Sequence, residues 1–257
     1  MKIAALQMRA VAGDPAANLG RIERAAGEAA AAGAALLIAP ELAVTGYGAG
    51  EAIRDLADGI DGPVVDRLAA IARTSGLAIA CGIAERDGDD VYNSTVLVDA
   101  AGRRLVYRKS HLYGPYERGL FRPGPPSAVT ASIGRLKAGL LICYDVEFPE
   151  NVRRLAQAGV DLVIAPTALP ASGHGAFIAG KMIPVRAFEN QVFVAYVNHC
   201  GADGRFAYAG LSGIAAPDGT MLAEAGAGDE ALLLADIDPA AFAASRAANT
   251  YLDDLRT

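Results

Sequence analysis

Apolar and polar positions follow two rhythms along this chain. Short, nearly unbroken apolar runs predict buried strands over 2–8, 34–39, 77–84, 136–142, 160–165 and 191–197. Apolar residues at helical spacing predict amphipathic helices over Pro15–Ala31 and 61–75, with shorter helical segments over 151–158 and 185–189. Asp14 is placed to cap the first helix. Pro15, Pro63 and Pro184 suit first turns, because the N–H that proline lacks would be unpaired there anyway. Runs over 91–98 and 103–108 flank Asp99-Ala-Ala-Gly102, a hairpin signal. Three short strands over 211–216, 221–225 and 231–237 are separated by Pro217-Asp-Gly219 and Gly226-Ala-Gly228, and the tail over 238–257 is partly helical. The order begins β-α-β-α and ends in meanders, which predicts an α/β (α+β) fold with a mixed sheet. No fixed-period repeat, linker or low-complexity break divides the chain, so a single domain over 1–257 is expected.

Two stretches follow neither rhythm. Thr45-Gly-Tyr-Gly-Ala-Gly50 reads as a loop and lacks the glycine spacing and Lys-Ser/Thr ending of a phosphate cradle. The stretch over 110–127 carries four prolines and three glycines. An irregular segment of that length inside a compact domain is usually functional.

Composition narrows the classes. With 53% hydrophobic and 20% charged residues, the chain has enough apolar mass for a large core. A net charge of −6 with no basic run argues against nucleic acid as a partner. No apolar tract is long enough to span a membrane, and the first residues lack a signal-peptide pattern. Cys81, Cys143 and Cys200 lie far apart without Cys-x-x-Cys spacing, which suggests reduced thiols and a cytoplasmic setting. His111, His174 and His199 have no metal-ligand spacing.

Chemistry is suggested where three apolar runs stop. Glu41 follows Ile38-Ala-Pro40, Lys109 follows Leu105-Val-Tyr-Arg108, and Cys143 follows Leu140-Leu-Ile142. Strand ends of this kind line ligand crevices in α/β sheets. A cysteine nucleophile needs a base and a positive group for the oxyanion, and Glu41 and Lys109 supply both. Histidine is the usual base, but none sits at a comparable strand end. A helix after Cys143 would aim its positive end at the sulfur and favour thiolate. The competing reading of Cys143 is a buried core cysteine. Lys109 is one of only four lysines, so a lysine kept beside Arg108 suggests a need for a compact ammonium; the alternative is a solvated strand-end charge. Cys81, Cys200, Glu189, Asn190 and His111 read as structural.

Three blocks together resemble the nitrilase superfamily of carbon–nitrogen hydrolases. They are Pro40-Glu41 with Thr45-Gly-Tyr47, Tyr107-Arg-Lys-Ser-His-Leu112, and Leu141-Ile-Cys-Tyr-Asp-Val-Glu-Phe-Pro-Glu150. Arg186-Ala-Phe-Glu-Asn-Gln191 and Pro217-Asp-Gly219 also resemble motifs found there. Asp145-Val-Glu-Phe-Pro-Glu-Asn151 and Asn198-His-Cys-Gly201 are most similar to aliphatic amidases of the 5-aminopentanamidase and stereoselective-amidase type.

The resemblance implies a four-layer α-β-β-α sandwich. It implies Glu41 as general base, Lys109 as oxyanion holder and Cys143 as nucleophile, with Glu117 as a second glutamate. It implies the Tyr144 N–H in the oxyanion hole; Tyr47 and Thr167, each just past a strand end, are expected on the pocket wall. It implies no metal or organic cofactor, and a homo-oligomer in the form of a dimer. The function expected is hydrolysis of a small amide, with a nitrile or N-carbamoyl substrate as the alternative on the same site. A non-catalytic protein of the same fold would be expected to lack one of Glu41, Lys109 and Cys143. Glu147 is open to two readings: an ammonium-attracting carboxylate in the acyl pocket, or a partner for Arg153 or Arg154.

Overall fold

The computed structural model describes residues 1–256. Strand β1 (Lys2–Gln7), helix α1 (Pro15–Ala31), β2 (Leu36–Ile38), the short α2 (Ala52–Leu56), α3 (Pro63–Ser75) and β3 (Ala78–Asp87) open the chain. Strands β4 (Asp90–Val98) and β5 (Arg104–Arg108), helix α4 (Gly114–Leu120), β6 (Thr130–Ile133) and β7 (Leu136–Leu140) follow. Next come α5 (Pro149–Gln157), β8 (Leu162–Thr167), α6 (Gly173–Phe177) and α7 (Ile183–Asn190). Strands β9 (Phe193–Asn198), β10 (Cys200–Ala202), β11 (Ala207–Ala209), β12 (Gly213–Ala215), β13 (Met221–Glu224) and β14 (Ala231–Asp236) lead to α8 (Ala243–Ala248).

The strands form two large sheets instead of one. The first has the order β14-β1-β2-β3-β4-β5 and the second β13-β12-β9-β8-β7-β6. Each is mixed: β1, β2 and β3 run parallel, as do β7, β8 and β9, while the remaining neighbours are antiparallel. Alternation along the strands explains the layering. Ile3, Ala5, Leu36 and Ile38 share one buried cluster with Ala138, Leu140, Leu162 and Ile164 of the second sheet. Their neighbours Ala4, Leu6, Leu37 and Ile79 instead pack on Ile22, Ala26 and Ala29 of α1 and Leu68 and Ala72 of α3. On the far side, Val152 and Leu155 of α5 and Ile183 and Ala187 of α7 cover the second sheet. The result is the α-β-β-α sandwich.

Local signals account for the helix starts. Asp14 accepts a hydrogen bond from the Ala17 N–H at 3.0 Å, and α3 stops at Gly76, whose φ of 70° is left-handed. Several boundaries differ from expectation. The helix expected over 151–158 begins earlier, with Pro149 at its first position. The stretch over 110–127 contains α4, and the helix expected over 185–189 extends back through a π-helical turn, Ile178–Met182, to α6. Gly173, Gly175 and Gly180 mask that helix in the sequence, because glycine is a poor helix former. Strand β6 was not expected; it lies at a sheet edge with only Ile133 of its residues buried, so it shows no apolar run.

Candidate active site

The C-terminal ends of β2, β5 and β7 converge, and the three predicted strand-end residues converge with them. Glu41 is held by its main chain. Gly82 donates its N–H to the Pro40 carbonyl at 3.1 Å, and a Cβ at Gly82 would lie 2.4 Å from that oxygen and 2.6 Å from the Glu41 Cα. Only glycine permits β3 to approach so closely. From the other sheet, His199 places Nε2 at 2.7 Å from the Glu41 carbonyl oxygen.

Lys109 is fixed in a similar way. Its N–H donates to the Asn93 carbonyl, and its carbonyl accepts from the Gly124 N–H, both at 2.8 Å. A side chain at Gly124 would strike Arg108. The Lys109 Nζ reaches 2.6 Å from Glu41 Oε1 and 2.7 Å from Glu117 Oε1. Asn93 Nδ2 adds a 2.7 Å bond to Glu41 Oε1, and the Tyr47 hydroxyl donates to Glu117 Oε1 at 2.9 Å. The Tyr113 N–H completes Glu117 by donating to Oε2 at 2.8 Å. Glu41, Lys109, Glu117 and Asn93 all have zero exposure. Among the described residues, Glu41 Oε2 is buried with no hydrogen-bond partner.

Cys143 sits just beyond β7 with φ 45°, a left-handed conformation that a side chain rarely adopts. Its surroundings hold it there. Asp145 Oδ2 accepts from the Tyr107 hydroxyl at 2.9 Å, and Oδ1 accepts from the His111 N–H at 2.9 Å and the Ser110 hydroxyl at 2.8 Å. One carboxylate therefore ties the turn after Cys143 to the loop after Lys109. From α7, Arg186 donates to the carbonyls of Val146 at 3.0 Å and Glu147 at 2.7 Å.

Burial, with the Glu41 charge beside it, pushes the Cys143 thiol well above its ordinary pKa. This corrects the expectation of a helix-stabilised thiolate. Cys143 opens a single 3-10 turn, Cys143–Glu147, and α5 begins only at Pro149. This setting favours the thiol, so a nucleophilic role for the sulfur would require a base. Burial would lower the Lys109 pKa, but the Glu117 and Glu41 carboxylates outweigh it and hold the ammonium well above its usual value. Burial raises the Glu117 carboxyl despite the opposing pull of Lys109.

A cavity of about 250 Å³ opens onto Cys143, lined also by Tyr47, Glu117, Tyr144, Glu147 and Ala168. The Ala168 N–H donates toward the sulfur. A larger hollow of about 540 Å³, lined by Gly76, Asp99, Arg103 and Gly134, lies at the opposite ends of the strands and touches none of these groups. Thr167 does not line the cavity: it is fully buried at the end of β8, with its hydroxyl donating to the Ala165 carbonyl at 2.9 Å. Ala168 and Leu169 form the wall instead. Among the described residues the Glu147 carboxylate has no ion pair, and Arg154 donates instead to Asn151. Burial raises the Glu147 pKa, with the Lys109 and Arg186 charges pulling the other way.

The residues missed by sequence reasoning are supporting ones. Asn93 lies inside a strand with no local mark of its role. His199 does follow a strand end, contrary to expectation, but it meets the Glu41 main chain and not the sulfur. His111 packs flat on Phe148, with ring centroids 4.0 Å apart. Cys81 is buried within β3, Cys200 opens β10, and Glu189 pairs with Arg186 at 2.9 Å.

A family model described as carbon–nitrogen hydrolase matches residues 2–247. The chain belongs to the carbon–nitrogen hydrolase family. A Pseudomonas protegens hydrolase from the pqqF 5′ region is 46% identical over 248 residues, covering 95% of this chain and 85% of the relative. An (R)-stereoselective amidase from Pseudomonas sp. is 37% identical, covering 100% of this chain and 92% of its own length. A cysteine-to-alanine mutant of the Nesterenkonia sp. AN1 amidase, solved in complex with butyramide, superposes with a TM-score of 0.89 at 36% identity, covering 100% of this chain and 94% of that one. As a carbon–nitrogen hydrolase, the protein acts on bonds other than peptide bonds.

Proposed function

We propose that this protein is a cysteine-dependent amidase that converts a small aliphatic carboxamide into a carboxylate and ammonia through a thioester acyl-enzyme. The observation that carries this reading is the buried cluster in which Lys109 bridges Glu41 and Glu117 beside Cys143. The amide complex and amidase name of the relatives support the same substrate class.

The steps follow from the groups present. The Cys143 sulfur attacks the amide carbon as its proton passes to Glu41, whose Oε2 has no other partner. The carbonyl oxygen becomes an oxyanion, held by the Lys109 ammonium and the Tyr144 N–H. Amide nitrogen leaves only when protonated, so Glu41 returns the proton and ammonia departs. Glu41 then takes a proton from water, whose oxygen attacks the thioester; as the C–S bond breaks, Glu41 passes that proton to the leaving sulfur, restoring the thiol, and the acid released ionises to the carboxylate. Glu117, fixed by Tyr47, keeps Lys109 charged and aimed.

The unpaired Glu147 carboxylate on the cavity wall supports a finer reading, an amide that also bears an amino group. A carboxylate there attracts an ammonium and repels an acid. A homodimer formed through α7 and its surroundings fits the exposed Phe177, Val185 and Tyr251, whose apolar surface an interface would cover. No described helix is long and apolar enough to cross a membrane, and the three free cysteines are buried; a cytoplasmic setting fits the latter.

The test is ammonia release across a panel of amides, nitriles and N-carbamoyl amines. Turnover is expected for small amides; turnover confined to nitriles or carbamoyl compounds would replace this reading.

A further inference from the structure

A second cavity of about 210 Å³ adjoins the catalytic one. Tyr47, Tyr113, Ala168 and Pro170 line both, so the two chambers share a wall that includes Ala168, whose N–H faces the nucleophile. Tyr116, Phe206 and Tyr208 close the second chamber. Its rings form a continuous aromatic surface: Tyr47 lies 5.4 Å from Tyr116, 5.5 Å from Phe206 and 6.3 Å from Tyr208, between ring centroids.

Three of the four tyrosine hydroxyls here are engaged elsewhere. Tyr47 donates to Glu117, Tyr116 to the Tyr47 carbonyl at 2.6 Å, and Tyr208 to Asp203. Ring carbon therefore lines the chamber, beside a catalytic cavity that is rich in polar groups.

We infer that this aromatic annex binds an apolar, ring-sized group carried by the amide substrate. The inference rests on the amidase reading for the position of the amide, but not for the chemistry of the annex. Size fits a ring, since a dry apolar cavity of roughly 150 Å³ accepts benzene. Aromatic walls offer edge-to-face and offset packing to such a ring. Aromatic cages also hold cations, but this one has no acidic residue in its lining. The Arg205 guanidinium, 5.6 Å from the Tyr116 ring centroid, adds a positive charge nearby. Both disfavour a cationic occupant. The substrate then spans two chambers, with its amide at Cys143 and its apolar end among Tyr116, Phe206 and Tyr208.

The test uses amides with a terminal phenyl group on alkyl chains of increasing length, compared with butyramide. Binding to Cys143→Ala is read by calorimetry, which needs no turnover. One chain length is expected to bind about tenfold more tightly than butyramide, the gain from burying a ring. In the same background, Phe206→Trp fills the annex and Phe206→Ala removes one of its walls. Each is expected to shrink the phenyl compound's advantage over butyramide. A general structural loss would instead weaken both ligands and leave the ratio unchanged. Absence of a preferred chain length, or a ratio unmoved by both Phe206 variants, overturns the annex. Phenyl-amide binding with neither the phenyl amide nor butyramide hydrolysed by the wild type would leave the annex standing and remove the amidase reading.

Discussion

Lys109 Nζ lies 2.6 Å from Glu41 Oε1, with both side chains fully buried. An ammonium in such a place is stable only because the Glu41 and Glu117 carboxylates offset its loss of hydration. It is thereby a fixed positive charge in a water-poor site, where charge acts most strongly on a developing oxyanion.

Replacing Lys109 by arginine keeps the charge but not the shape. The guanidinium is a wide planar fork with no room between Glu41 and Glu117. Lys109→Arg is expected to lower kcat/KM by about 100-fold or more, the scale of a lost oxyanion donor. Steady-state kinetics beside a melting curve check this, and near-wild-type kcat would show that the lysine is only a structural charge.

Asp145 offers a second test. Its carboxylate joins the turn after Cys143 to Ser110 and His111, so it fixes that turn against the loop after Lys109. Asp145→Asn retains one acceptor oxygen but turns the other into a donor facing the Tyr107 hydroxyl or the Ser110 hydroxyl and His111 N–H. Stability should fall by about 1–3 kcal/mol. A positioning role predicts that kcat falls more than KM rises, whereas unchanged kcat in the folded variant would confine Asp145 to stability.

His199 makes stability depend on pH. Burial lowers its folded pKa, so the unfolded chain binds the proton first. The native state therefore gains stability as pH rises, and this contribution is fully present above the free histidine value near about 6.5. It is lost as pH falls below that value toward the depressed folded pKa. His199→Gln, which keeps a donor for the Glu41 carbonyl, should flatten the denaturation midpoint across this acidic window. An unchanged slope would show that His199 does not carry the dependence.

The ammonium site proposed at Glu147 predicts a substrate preference that follows protonation. The wild type should prefer an amino amide to its uncharged isostere, and this preference should fade as the solution is acidified through the raised Glu147 pKa. Glu147→Gln should lack the preference at every pH, as read by kcat/KM. Equal preference in the variant would assign the ammonium site elsewhere.

Much of this site was legible because its chemistry sits where apolar runs stop. Glu41, Lys109 and Cys143 each follow a strand, and parallel strands bring their ends to one edge. What the sequence does not mark is contact between residues far apart along the chain, whether within one sheet or across the two. Asn93 lies within an ordinary strand, His199 follows β9 of the second sheet to reach the Glu41 main chain, and Asp145 gains its partners through a loop over thirty residues earlier. Thr167 illustrates the opposite error: its strand-end position suggested a pocket wall, but a hydroxyl that bonds back to Ala165 turns it away. Helices α4 and α6 were hidden by glycines and prolines whose low helix propensity is overridden by packing.

The cysteine mechanism itself is tested most directly by intact mass measured after rapid acid quenching of the enzyme during amide turnover. The wild type should carry the acyl group on Cys143, while Cys143→Ala should carry none and release no ammonia, with its fold unchanged by circular dichroism. Continued ammonia release by folded Cys143→Ala would contradict the account.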